Sequence, residues 1–258
     1  MRPSGKLGIC LAPVIMTASL LGAGMPATAA ADPLVLNPAS PDSTGATSPN
    51  WFGYAASGGG YSSVESTWTQ SPVDCSRGDG SVVFWVGLDG WGSRTVEQTG
   101  TGADCQNGRA DYYAWWETYP DNPINPYNDP VKPGDTFYAK VTYQGGTNYE
   151  LYIEDKTAGW REDQVVQGAS GASNASAEVV GETPGYSGGR YASLPDFSTE
   201  NFTGSLVDGK PIGEMNARRI DLARNGDTLA TTSDLSNGTD FAVSWQANSL
   251  AARSRAVR

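Results

Sequence analysis

A single neutral amide stands out where chemistry is expected. In "FWVGLDGWGSRTVEQTG", residues 84–100, a run that reads as buried strand, tight glycine turn and second strand delivers Gln98. The residue alone leaves open whether it is a core oddity or part of a catalytic site. The chain has no histidine, which removes Ser-His and Cys-His nucleophile pairs and every histidine-ligated metal site. Without an organic cofactor, proton transfer therefore falls to carboxylates, tyrosines or lysines. Carboxylates dominate, with 28 Asp+Glu against 17 Lys+Arg. A carboxylate can act first as general base and then as acid, most efficiently where its pKa lies near the working pH, so that pH should be acidic.

The elements that position these groups follow from the pattern of the chain. From Trp51 onward, aromatic and β-branched runs alternate with Gly, Asn, Asp and Pro clusters every 8–15 residues. This spacing predicts an antiparallel all-β sandwich or barrel. The runs include "SVVFWVGL", "DYYAWWETY", "DTFYAKVTY", "YELYIEDKT", "ASAEVVGE" and "TDFAVSWQA"; a helical apolar stripe shows only weakly, around Ile212 to Leu222. Successive strand residues face opposite ways. In 82–89, Val82, Phe84, Val86 and Leu88 share one face, and Val83, Trp85, Gly87 and Asp89 the other. In 111–119, Asp111, Tyr113, Trp115, Glu117 and Tyr119 oppose Tyr112, Ala114, Trp116 and Thr118. Aromatics mixed with carboxylates suit a groove that grips something polar and extended, or the core and surface of a thick sandwich.

Residues 1–31 read as a signal peptide. Arg2 and Lys6 precede an apolar run from Leu7 to Leu21 that is short for a membrane span, and cleavage after Ala29, Ala30 or Ala31 fits the small-residue rule. Removing that segment takes two basic residues and moves the balance from −11 to −13. So acidic a chain disfavours nucleic acid and anionic membrane as partners. Export makes an even pair of cysteines most simply a disulfide, and once Cys10 leaves with the leader the pair is Cys75 and Cys105. Residues 32–47, rich in Pro, Ser and Thr with one apolar patch at Leu34 to Leu36, read as a linker or short pro-segment. Residues 48–247 form one domain, and 248–258 form a basic tail.

"SPNWFGYAASGGGYSSVESTW", "FWVGLDG", "TVEQTG", "YYAWWETYP", "VKPGD" and "ASAEVVGE", in this order across residues 48–207, together resemble the glutamic peptidases, or eqolisins. The resemblance implies an antiparallel β-sandwich of two bent sheets, of concanavalin-like or jelly-roll type, whose concave face binds a polypeptide. It also implies an acid endopeptidase; with the leader, the protein is expected to be secreted, free of the membrane once the leader is removed, monomeric, and without cofactor or metal. Gln98 matches the family's catalytic glutamine and Glu178 its catalytic glutamate. Trp85 and Asp89 match support residues, Glu117 matches the glutamate of a further segment, and Trp51 lies in the first matching stretch. Alternation alone puts Glu178 and Glu182 on one strand face and does not choose between them. One departure is Val179, where the family usually has tryptophan. Two other readings stand beside this one: a family member that binds peptides without cutting them, and a glycan-active sandwich.

Overall fold

The computed structural model describes residues 34–36, 38, 47–186 and 189–247. The expected leader, most of the expected linker, the basic tail and Cys10 lie outside the described residues. The strands are β1 (Leu34–Val35), β2 (Thr47–Ser48), β3 (Trp51–Ser57), β4 (Ser63–Thr69), β5 (Gly80–Leu88) and β6 (Val96–Gln106). There follow β7 (Arg109–Tyr119), β8 (Asn122–Pro126), β9 (Thr136–Gly145), β10 (Asn148–Asp155), β11 (Trp160–Gln167) and β12 (Ser176–Glu182). The last are β13 (Gly185–Tyr186), β14 (Thr199–Val207), β15 (Lys210–Pro211), β16 (Arg218–Arg224), β17 (Asp227–Thr232) and β18 (Phe241–Trp245). All six runs picked out by composition are strands. The weak helical stripe is not a helix: Ile212–Glu214 makes one 3-10 turn and Arg218–Arg224 is β16. Two β-branched or leucine positions at strand spacing, Ile220 and Leu222, are buried there and favour the extended form.

The strands form a ladder in the order β11-β10-β9-β4-β14-β18-β17-β16-β3-β12-β5-β6-β7-β8, antiparallel except where β2 joins β16. The ladder folds back so that β5 and β6 lie against β9, and β12 against β4 and β14. The result is the all-β, antiparallel sandwich expected from the sequence. Between the layers sits the main core, which takes Val82, Phe84, Val86 and Leu88 from β5, Ala114 from β7, and Ala177 and Val179 from β12. The opposite face of the same strands carries a second cluster: Trp51, Val83, Trp85, Val96, Trp115 and Val180. Strand β5 is thus buried on both faces, which is why its sequence is a continuous apolar run. Cys75 and Cys105 form a disulfide, S–S 2.03 Å, that ties the loop before β5 to the end of β6.

Candidate active site

Strand pairing aligns four strands of the second face on one row. Glu178 of β12 pairs with Gly87 of β5, Gly87 with Gln98 of β6, and Gln98 with Glu117 of β7. Residues directly paired in antiparallel strands point to the same side. Glu178 and Gln98 therefore flank a position that has no side chain, two strand steps apart, about 10 Å between backbones. The alternation read from 82–88 holds in the structure: Val83, Trp85 and Gly87 share this face. Glu182 lies two rows away, opposite Val83, where it accepts hydrogen bonds from Asn50 Nδ2 and Trp85 Nε1, each at 3.2 Å. Register thus separates the two glutamates that alternation left equivalent.

The row is dry. Glu178 is fully buried and Gln98 1 % exposed. Burial pushes the Glu178 carboxyl well above the usual carboxylate range; the nearby Ser176 hydroxyl and Trp91 backbone N–H work against that shift, and Asp89 and Glu97 work with it. Gln98 Nε2 donates to Glu117 Oε2 at 2.6 Å. Burial raises Glu117 to about 8 against the opposing effect of that hydrogen bond, so it is neutral in acid. An amide nitrogen has two N–H groups, and Glu117 uses one of them. Neither oxygen of Glu178, nor Gln98 Oε1, makes a hydrogen bond of normal geometry to a described residue. Buried polar atoms with spare hydrogen-bonding capacity are suited to bind a polar ligand.

The supporting residues divide by role. Trp85 packs edge-on against Trp51, ring centroids 4.8 Å apart, and these rings wall the row on one side. Asp89 lies past the end of β5 at φ 65°, so the strand alternation stops short of it. Its carboxylate accepts from the backbone N–H groups of Ser173, Asn174 and Ala175 at 2.6, 2.8 and 2.7 Å. It fixes the loop that feeds β12, three residues before Glu178. Glu97 is a buried carboxyl that sequence reasoning did not single out. It accepts from Ala169 N at 2.9 Å, at the other end of the same loop, and burial raises it to about 8. The only sequence signal for it was a glutamate immediately before Gln98, on the side facing the main core. Val179, the departure from the family pattern, is buried in the main core, away from the row. Its consequence is therefore one of packing.

Residues 49–245 match the Peptidase A4 family. The chain is similar to Aspergillopepsin-2 of Aspergillus niger, 25 % identical over 210 residues that cover 72 % of this chain and 74 % of that protein. Among solved structures it is similar to scytalido-glutamic peptidase with a transition state analog inhibitor, TM-score 0.67 at 23 % identity, covering 77 % of this chain and 98 % of that one. It is also similar to aspergilloglutamic peptidase from Aspergillus niger, TM-score 0.57 at 25 % identity, covering 64 % of this chain and 99 % of that one.

Proposed function

The chain belongs to the peptidase A4 family and is a glutamic endopeptidase, and from that premise we propose that it cleaves unfolded polypeptides in acid with Glu178 and Gln98 as its catalytic pair. Peptide hydrolysis needs a water deprotonated as it attacks, an oxyanion stabilised, and a proton delivered to the leaving nitrogen. Glu178 takes the proton from water and returns it to the nitrogen, while the second N–H of Gln98 donates to the oxyanion. The observation that carries this reading is the single row Glu178–Gly87–Gln98–Glu117. Gly87 carries no side chain between the two, and the Trp85 ring that packs over it would have to move aside to admit a water and a scissile carbonyl.

The base step needs ionised Glu178, and burial opposes ionisation. Water admitted with the substrate solvates the carboxylate and lowers its pKa towards the acidic range in which it works. Neutral Glu117 holds Gln98 in place without adding a negative charge beside the oxyanion.

The protein is exported by residues 1–31 and acts outside the cell as a monomer, residues 48–247 forming the peptidase domain. Digestion of an unfolded protein across a pH series, beside a polysaccharide panel, tests the activity. Cleavage confined to the protein at acidic pH is expected; release of sugars or no cleavage at any pH overturns the reading. N-terminal sequencing of the secreted form tests export, the expected first residue being Ala30, Ala31 or Asp32.

A further inference from the structure

The expected linker contains one apolar patch, Leu34 to Leu36, and the structure docks it. Leu34 pairs with Tyr186 and Val35 with Gly185, so β1 adds to β13 as a short antiparallel strand. Leu36 is fully buried, in the cluster of Trp51, Val83, Trp85 and Val180. These residues are on the catalytic face: Val180 lies two residues after Glu178 on β12, and Trp85 two residues before Gly87 on β5. Two residues of strand span about 7 Å, which is also the distance between side chains on one side of an extended peptide. A substrate stretched across the row would therefore place a side chain in this cluster two residues from the bond being cut.

We propose that Trp51, Val83, Trp85 and Val180 form a subsite that selects an aliphatic side chain of the polypeptide substrate, and that Leu36 occupies it in the uncleaved chain. The assignment rests on Gln98 and Glu178 being the catalytic pair. The walls are apolar except for Glu182, which lies in the row of Trp51 and Val83 and whose carboxyl is engaged by Asn50 and Trp85. A cationic side chain therefore meets no open counter-charge here, whereas a leucine-sized group fills the cleft. Backbone pairing holds the segment and a side-chain cleft reads it, as an added strand is recognised.

The test uses the full chain with Leu36→Asp. Vacating the cleft should lower KM for an unfolded protein by about tenfold or more, the factor carried by burial of one leucine side chain, with kcat little changed. Sequenced product ends should show Leu, Ile, Val or Met at a fixed position two residues from the cut, and Val180→Phe should shift that preference to Ala and Gly. Should Leu36→Asp lower the melting temperature, Leu36→Ala should move KM in the same direction by less. A peptide of residues 32–38 should change the tryptophan fluorescence of the chain carrying Leu36→Asp and Glu178→Gln, and its counterpart with Asp at position 36 should not. That binding needs no turnover, so a protein that binds but never cuts removes the catalytic assignment and leaves the subsite. Unchanged KM, no aliphatic preference in the products, or a peptide that fails to bind while the enzyme cuts would each overturn the subsite.

Discussion

Gln98 and Glu117 face each other across the β6–β7 ladder, with Gln98 Nε2 donating to Glu117 Oε2 at 2.6 Å. Because Glu117 titrates only at about 8, it is a neutral acceptor in acid, and Glu117→Gln preserves an acceptor there. That variant should keep most of its acid activity. Glu117→Ala leaves a buried amide N–H unpaired, worth about 1–3 kcal/mol, and should lower kcat by about 10- to 100-fold. Equal losses in the two variants would remove Glu117 from the role of positioning Gln98.

For the pair itself, Glu178→Gln should abolish turnover with little change in melting temperature. Gln98→Ala should lower kcat by about 10²- to 10³-fold. The double variant should be no worse than Glu178→Gln alone, since both changes disable one step. Glu182→Gln should retain activity, as it lies two rows away. A dead Glu182→Gln beside an active Glu178→Gln would reverse the choice of glutamate.

At Gly87, an added Cβ would lie 2.7 Å from Trp85 Cζ3 and 3.1 Å from Gln98 Cβ. Gly87→Ala therefore crowds the space between Glu178 and Gln98. Stability should fall by about 1–3 kcal/mol, as overpacking does, while kcat falls at least tenfold. A variant that loses stability but cuts at the native rate would show that substrate does not pass over Gly87.

Stability should fall as pH rises. Burial lifts Glu97 and Glu117 to about 8 and Glu200 to about 7. Groups with a raised folded pKa bind protons more tightly when folded, so their contribution is complete below the unfolded value near 4.5. It is lost progressively from there up to about 7 or 8. The exposed Asp74 and half-buried Asp240 are shifted down and act the opposite way, but only in stronger acid. Thermal melts should be higher at pH 4 than at pH 8 by more than about 5 °C. The reverse order would count against these carboxyls being buried.

The disulfide between Cys75 and Cys105 closes a separation of 30 residues. Denaturation of the mature protein without reductant should expose no titratable thiol. Reduction should destabilise by about 3–4 kcal/mol in the chain-entropy account, read as a lower urea midpoint with the fold otherwise intact.

Much of this was legible in the sequence because strand faces alternate. The two-faced burial of β5, the shared face of Trp85 and Gly87, and the Cys75–Cys105 bridge follow from local pattern and residue count. Register is a different matter. Nothing within "ASAEVVGE" says that Glu178, rather than Glu182, falls opposite Gly87; that depends on pairing with a strand some 90 residues earlier. The Ile212–Leu222 stretch misled because its apolar spacing fits a helix as well as a turn followed by a strand. Leu36 was visible as an apolar patch, but its partners are brought together only by the folded sheet. Glu97 gave no signal beyond its place beside Gln98, since burial of a carboxyl is a property of the surrounding layers.

Three glycines, Gly87, Gly100 and Gly102, lie on the face of β5 and β6 that carries Gln98. A Cβ on Gly100 would strike the Phe84 carbonyl oxygen and the Trp85 backbone, and one on Gly102 would meet the Tyr113 ring. Over evolutionary time the floor of the cleft is then nearly frozen, because every substitution there begins with a methyl group that has nowhere to go. Its walls are built from side chains that can change size one mutation at a time. Lineages descending from this enzyme should diversify their diets through positions such as Val180 and Trp115 while inheriting the same bare track beneath.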